Sequence, residues 1–350
     1  MPADIATALQ KYTDVESGIL AWFDADSFDG EDTVEVSCVG APNTTLGVDR
    51  ESYAKAKKFL SDYDIVQTHH NHSGLYGKII ARRLGKSLIS TEQNTQDGFS
   101  RKGRAINGLT NPFADRITCI STSVYNSFTW WQNMLIRDEN VEIIHNGIPF
   151  ERIEREKETS LPVYEECGID ADSVVVGNAA MLSEQKAHDT LVEGVGKANE
   201  RSKESIEVVI AGDGKLKPYI KDIINEEGLE NKVHLLGLLE RGEVYSMMDK
   251  IDIYAMPSRW EGFCVAVGEA MALSTPCVLS DIEVFTELYG EAGLFHPVDD
   301  TDALADHLVE VAENKELRER MGEESYRCAQ GYSMETIAED YATLYREILA

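Results

Sequence analysis

IDIYAMPSRWEGFCVAVGEAMALSTPCVLSD, residues 251–281, reads as strand, turn, helix and strand. The apolar runs IDIYAMPS (251–258) and PCVLSD (276–281) have strand character, and the stretch between them fits a turn and one short helix. At about 100° per residue, Val265, Ala266, Val267, Ala270, Met271, Ala272 and Leu273 cover nearly the whole helix circumference, interrupted only by Gly268 and Glu269. A helix apolar all round is buried, and an unpaired carboxylate inside it costs several kcal/mol. Glu269 therefore needs partners. These are an internal Lys or Arg, a proton, or the vicinal hydroxyls of a ligand, bound as acidic residues bind nucleotide ribose.

The same rhythm extends outward in both directions. Toward the C-terminus of this unit comes AGLFHP (292–297), and before it come SVVVGNAAML (173–182), IEVVIAGDG (206–214) and KVHLLG (232–237). The first half repeats the pattern with TVEVSCVG (33–40), DIVQTHH (64–70), KSLIST (86–91), RITCIS (116–121) and VEIIHNG (141–147). Strand runs alternating with amphipathic helical stretches give parallel sheets, one per half. At 350 residues the chain exceeds what one core supports. The expected division is 1–155 as an N-terminal domain, 156–172 as a linker around Pro162, 173–330 as a second domain and 331–350 as a terminal helix. MPADIATALQKYTD opens the chain as a helix, without the strand that would precede it in a doubly wound domain.

Ligands bind outside the carboxyl ends of such strands. Glu261 lies in the turn after IDIYAMPS, Gly262 lets backbone approach a ligand without Cβ interference, and the following residues offer the free N–H groups of a helix N-terminus to an anion. An acidic hydroxyl acceptor beside backbone anion donors suits a sugar diphosphate.

The segment MPSRWEGFCVAVGEAMALSTPCVLSD resembles the signature of retaining glycosyltransferases of family four, with Glu261 and Glu269 at the E-x7-E spacing and Gly262-Phe263 in its E-G-F setting. IIHNGI (143–148), AGDGKLK (211–217), SDIEVFTEL (280–288) and the tail GYSMETIAEDYATLYREIL (331–349) are similar to further segments of that family. The resemblance implies an α/β fold of GT-B architecture, two Rossmann-like parallel-sheet domains facing a cleft, with the terminal helix crossing back onto the first domain. It implies that Glu261 holds the hydroxyls of the transferred sugar, that Gly262, Phe263, Cys264 and Val265 present amides to sugar and diphosphate, and that Glu269 binds ribose. Gly212 falls in the family's glycine turn on the donor side. Lys186 in AAMLSEQKAHD (179–189) matches a diphosphate-clamping lysine, while Met181 stands where the family has an arginine. Gln93 stands near a position where relatives have a histidine and is the acceptor-side candidate. Methionine carries no charge for the leaving diphosphate, and glutamine exchanges no proton.

THHNHSG (68–74) sets His69, His70 and His72 at the end of a strand. No carboxylate or cysteine stands nearby and alternate residues of an extended segment face opposite ways, so no metal is expected. His70 is kept as a catalytic or sugar-contacting candidate.

The composition sets outer limits. Asp and Glu number 62 against 33 Lys and Arg, a net charge of −29, which repels nucleic acid and anionic lipid at moderate salt. Such a surface suits a salt-rich cytosol, as in a halophilic archaeon, because the Debye length falls to about 3 Å near 1 M salt; an acidic protein of an ordinary cell is the other reading. Six cysteines without a CxxC argue against a zinc site or disulfide framework. No signal sequence opens the chain and no apolar run approaches the roughly 18 residues of a membrane span. The expectation is a cytoplasmic enzyme without cofactor. It takes a nucleotide-diphosphate sugar and a hydroxyl or phosphate acceptor on a glycan or lipid carrier, which is compatible with a position at the inner membrane face. No basic amphipathic helix stands out for docking there. Met181, Gln93 and the abrupt start motivate an alternative, a weakly active nucleotide-sugar binding protein supporting a partner. An epimerase is disfavoured by the E-G-F setting, and a dehydrogenase by the lack of G-x-G-x-x-G after an early strand.

Overall fold

All eleven strand runs read from the sequence form strands, β2 to β12, in the computed structural model, which describes residues 2–22, 34–40, 49–69, 71–158, 167–290 and 292–350. One further strand, β1 (Gly18–Ala21), was not visible in the sequence because its four residues are all half-buried and show no apolar contrast.

The chain divides into two compact units, Met1–Gly147 with Met334–Ala350, and Ile148–Ser333. The first contains α1 (Pro2–Tyr12), β1, β2 (Glu35–Cys38), α2 (Arg50–Ser61), β3 (Ile65–Thr68), α3 (Asn71–Leu84), β4 (Ser87–Glu92), α4 (Arg101–Thr110), β5 (Arg116–Cys119), α5 (Thr122–Asn126), α6 (Trp130–Asn133) and β6 (Val141–Ile143). Its sheets are β3-β4-β5-β6 and the pair β1-β2, all parallel.

The second contains α7 (Phe150–Glu156), β7 (Val174–Ala179), α8 (His188–Arg201), β8 (Ile206–Ala211), α9 (Lys217–Glu226), β9 (Val233–Gly237), α10 (Arg241–Lys250) and β10 (Ile253–Met256). It continues with α11 (Val265–Ala272), β11 (Cys277–Ser280), α12 (Glu283–Tyr289), β12 (Gly293–His296), α13 (Thr301–Glu313) and α14 (Lys315–Gln330). Its six strands are parallel in the order β9-β8-β7-β10-β11-β12. β7, β8 and β10 are almost wholly apolar and buried, as strands covered on both faces must be. The two Rossmann-like α/β units are the GT-B architecture expected from the sequence.

The break between units falls at Gly147, not near residue 155, because α7 packs with the second unit: the Phe150 and Tyr326 rings meet edge to face at 5.7 Å, and Arg152 Nε donates to Tyr245 Oη at 3.3 Å. The final helix, α15 (Met334–Leu349), belongs to the first unit. Its amphipathic face buries Ile337, Tyr341 and Leu344 against Ile5, Leu9, Ile89 and Ile144. Gly147 packs closely there: a Cβ would come within 2.6 Å of Met334 Sδ and 3.3 Å of its Cα. Among the described residues no helix is long and apolar enough to cross a membrane.

Candidate functional site

The strand order of the second unit reverses between β7 and β10, and in an open parallel sheet the crevice at the carboxyl ends of two such strands is the place for a ligand. The loop after β7 carries Lys186 and the loop after β10 carries Glu261. Fold alone therefore brings together two residues 75 positions apart: Lys186 Nζ lies 2.5 Å from Glu261 Oε1.

Glu261 is 6% exposed and accepts two more hydrogen bonds, from Ser258 Oγ at 2.8 Å and from Gln185 Nε2 at 3.0 Å. Lys186 Nζ also lies 3.6 Å from Cys264 Sγ. Burial alone works against the ammonium, but its acidic neighbourhood outweighs burial and holds the lysine above its usual range. Glu261 is the partner that counts at neutral pH, because burial pushes the Cys264 thiol up to about 12 and leaves it uncharged. The ammonium has three hydrogens, so the contact with Glu261 does not exhaust it.

The two loops are fastened to each other. Arg259 donates from its backbone to Gln185 O, from Nη1 to Glu184 O and from Nη2 to Asp189 Oδ2, each at 2.8 Å, and Nε reaches Asp299 Oδ1 at 2.8 Å. Gln185 Nε2 donates back to Trp260 O at 3.0 Å. Two of the few non-glycine residues with positive φ, Ala187 (49°) and Cys264 (63°), flank the Lys186–Glu261 contact. Backbone held in sparsely populated regions concentrates at functional sites.

Cys264 caps α11 and its carbonyl accepts from Val267 N at 3.1 Å, while the Val265 and Ala266 amides precede the first such bond. The Phe263 ring is buried and packs edge to face with Tyr289 and Tyr332, at 6.4 and 5.9 Å, which anchors the 262–265 segment. Gly268 lies against Ile148, where a Cβ would come within 2.6 Å of Cδ1.

Glu269 differs from its sequence-based picture. α11 is not buried all round: Val265, Ala266, Glu269 and Leu273 form a half-buried face while Val267, Ala270, Met271 and Ala272 face the interior. Glu269 Oε1 accepts from the phenol of the fully buried Tyr245 at 2.9 Å, and Arg152 stands on the other side of that phenol. Its carboxylate is thus held by α10 and not left in apolar surroundings. Burial raises the Tyr245 phenol, and the Glu269 charge adds to that.

Other candidates spread around this centre. Gly212 has φ 147° and no room for a side chain, because a Cβ would sit 1.9 Å from Ala180 O; loop packing accounts for this glycine. Met181, next in the same turn, is 64% exposed. His188, missed in the sequence, is buried directly behind Lys186 with Nε2 3.0 Å from Asn178 Oδ1. Burial and then the Lys186 charge push its imidazole down to about 4, so it is neutral.

In the first unit, Gln93 Nε2 lies 3.1 Å from His69 Nδ1, joining the loops after β4 and β3. His70 lies outside the described residues. Glu92, just before Gln93, is buried and accepts from Asn107 Nδ2 and Asn111 Nδ2, each at 3.0 Å, while Lys78 Nζ donates to Asn111 Oδ1 at 2.7 Å. Burial raises the Glu92 carboxyl and pushes Lys78 down to about 8. This network, which ties β4 to α3 and α4, had no local signal in the sequence. Among the described residues no group of three or more His, Cys, Asp or Glu side chains is placed to hold a metal ion.

Residues 3–152 match the family Glycosyltransferase Family 4, and residues 165–327 match Glycosyl transferases group 1. Among curated proteins, the chain is 28% identical over 187 residues to the alpha-D-kanosaminyltransferase of Streptomyces kanamyceticus, covering 53% of this chain and 48% of that one. It is 28% identical over 278 residues to the N-acetylgalactosamine-N,N'-diacetylbacillosaminyl-diphospho-undecaprenol 4-alpha-N-acetylgalactosaminyltransferase of Campylobacter jejuni, covering 76% and 72%. The chain spans about half the length of the first curated relatives it matches. Among solved structures, Anabaena Alr3699/HepE in complex with UDP and glucose is similar with a TM-score of 0.82 at 19% identity, over 99% of this chain and 94% of that one.

Proposed function

From the matches of residues 3–152 to Glycosyltransferase Family 4 and of residues 165–327 to Glycosyl transferases group 1, in the GT-B architecture, we propose that the chain is a retaining glycosyltransferase. It moves a sugar from a nucleotide-diphosphate donor to a hydroxyl or phosphate on a glycan or lipid-linked acceptor, in the synthesis of a surface glycan or polysaccharide. The observation that carries this reading is the Lys186–Glu261 pair just ahead of α11, set at the β7/β10 reversal with Glu269 about one turn into that helix.

Each residue has a task in this reading. The C1–O bond to the diphosphate breaks, and negative charge grows on its oxygens. Lys186, kept charged by Glu261, and the α11 N-terminal amides meet that charge without a metal ion. Glu261 takes a hydroxyl of the transferred sugar, and Glu269 takes the ribose. The acceptor oxygen bonds to C1 on the face the diphosphate leaves, and its proton passes to the departing phosphate oxygen. The Anabaena protein was solved with UDP and glucose, and the Campylobacter relative is named for a diphospho-undecaprenol substrate; both fit a donor and an acceptor of these classes. Such an acceptor would bring the protein to the inner face of the membrane.

The test is a panel of nucleotide sugars screened by thermal stabilisation in molar salt, where ligand at 100 times its dissociation constant adds about 2.7 kcal/mol. One donor should stabilise the protein. Glu269→Ala should weaken its binding about tenfold or more, an effect of about 1.4 kcal/mol, while Glu261→Ala should bind it and fail to release nucleoside diphosphate. If no nucleotide or nucleotide sugar raises the melting temperature, or both variants behave as the parent, the reading is wrong.

A further inference from the structure

The Cys264 side chain stands where the backbone would be better served without one. Among the described residues six glycines and four other residues take up positive φ, and Cys264, at φ 63° and ψ 76°, is one of the four. A Cβ is strained in this left-handed region and glycine is not. The backbone duty of the position is the carbonyl that accepts from Val267 N at 3.1 Å, and glycine has the same carbonyl. A local rule broken at a candidate site, with no backbone reason for it, turns attention to what the side chain touches.

It touches Lys186. Cys264 is buried, and its Sγ lies 3.6 Å from Lys186 Nζ, within reach of a hydrogen bond to sulfur. The ammonium thus has two acceptors in the protein, Glu261 Oε1 at 2.5 Å and this sulfur, for three hydrogens. A lysine head is a point charge with rotatable donors on a flexible stem. One contact would leave it free to spin about the line to Glu261, whereas two contacts fix where the third N–H points. The two acceptors differ in kind. Glu261 carries a charge, while burial keeps the thiol neutral, so the sulfur is a weak acceptor that orients the ammonium without drawing off its charge. On the other side of the contact, Ala187 follows Lys186 with φ 49° and is fully buried, which holds the base of the lysine as well.

We propose that Cys264 is a positioning residue for the donor diphosphate: its thiol and Glu261 hold the Lys186 ammonium from two sides and direct the third N–H at a phosphate oxygen. This role rests on the donor reading given under the proposed function and deepens it, by adding a side chain that acts on the lysine and not on the ligand.

The test uses the full chain and a panel of nucleoside diphosphates with their parent nucleosides, titrated by calorimetry. Lys186 acts on the diphosphate alone, so the ratio of the two affinities reports on it. Cys264→Ala removes the sulfur and keeps the Cβ on left-handed backbone, and Cys264→Gly removes the sulfur together with the strain. Both should lower the ratio about fivefold, the worth of about one hydrogen bond, with nucleoside affinity unchanged, although the glycine variant should melt above the alanine variant. Cys264→Ser restores an acceptor and should recover part of the loss. In a Lys186→Met background, Cys264→Ala should cost no further affinity. One readout needs no ligand: by NMR, the ammonium nitrogen of Lys186 should shift in Cys264→Ala and return toward the parent in Cys264→Ser. Cys264 loses this role if diphosphate affinity follows melting temperature across the alanine and glycine variants, if the loss persists without Lys186, or if the Lys186 resonance does not move. Parental diphosphate binding in both variants sinks the role of Cys264 and leaves the proposed function standing. A parent that binds no nucleoside diphosphate sinks the proposed function, and with it the phosphate, while a shifted Lys186 resonance still upholds Cys264 as the residue that holds the ammonium.

Discussion

Replacing Lys186 with methionine removes one member of the Lys186–Glu261 pair and leaves the other behind. The Glu261 side chain is 6% exposed and that of Lys186 17%, so neither charge is well hydrated. Without the lysine, the carboxylate keeps only the neutral donors Ser258 and Gln185. Breaking a buried pair from one side costs about 3–5 kcal/mol, whereas replacing both members by neutral groups is often close to neutral. The two retained donors place Lys186→Met near the lower end, about 3 kcal/mol. Lys186→Met combined with Glu261→Gln should recover at least about 2 kcal/mol of the summed losses in a double-mutant cycle. Urea unfolding followed by the transition of the second unit gives the four values. Repeating it near 1 M salt separates this pair from surface pairs, since buried charges are screened little. A loss below about 1 kcal/mol for Lys186→Met, or strict additivity in the double variant, would refute the argument that this is a buried, mutually dependent pair.

Two further outcomes follow from the same neighbourhood. His188 titrates at about 4 in the folded chain against an ordinary 6.5, so the unfolded chain binds the extra proton first and stability drops as pH falls from 6.5 toward 4. At 1.36 kcal/mol per unit that is about 3 kcal/mol; the stability gap between parent and His188→Gln, from urea unfolding at pH 7 and pH 4, should shift by this amount. Tyr245→Phe deletes the 2.9 Å hydrogen bond that orients Glu269. Calorimetry should show about fivefold weaker binding of a ribonucleoside diphosphate, the worth of about one hydrogen bond, and no change for the 2′,3′-dideoxy form; equal losses for both would remove Glu269 from the ribose.

What the sequence disclosed was what depends on local pattern. The runs of β7, β8 and β10 stand out because strands buried on both faces must be apolar, whereas the four half-buried residues of β1 offer no such contrast. Strand order is non-local, so the β7/β10 reversal was invisible although both loops beside it had been picked out. For the same reason Lys186 and Glu261 were each assigned to a ligand, and their contact with one another was not foreseen. Glu269 was placed in apolar surroundings because a helical wheel shows composition and not which neighbours cover each face. Lys78 and Glu92 were not singled out, since nothing in their flanks says that α3, α4 and β4 close over them.

The fastening of the loops after β7 and β10 by Arg259 and Gln185 bears on how this site can be altered, in nature or at the bench. Residues 184–189 and 257–264 exchange five hydrogen bonds through those two side chains and the Arg259 amide, among them contacts that fix where Lys186 and Glu261 sit. A graft that imports one loop from a relative while keeping the other would mismatch its fasteners and shift the reacting groups by default. The two loops are a cassette: under the proposed function, a change of donor preference requires both pieces to be moved together.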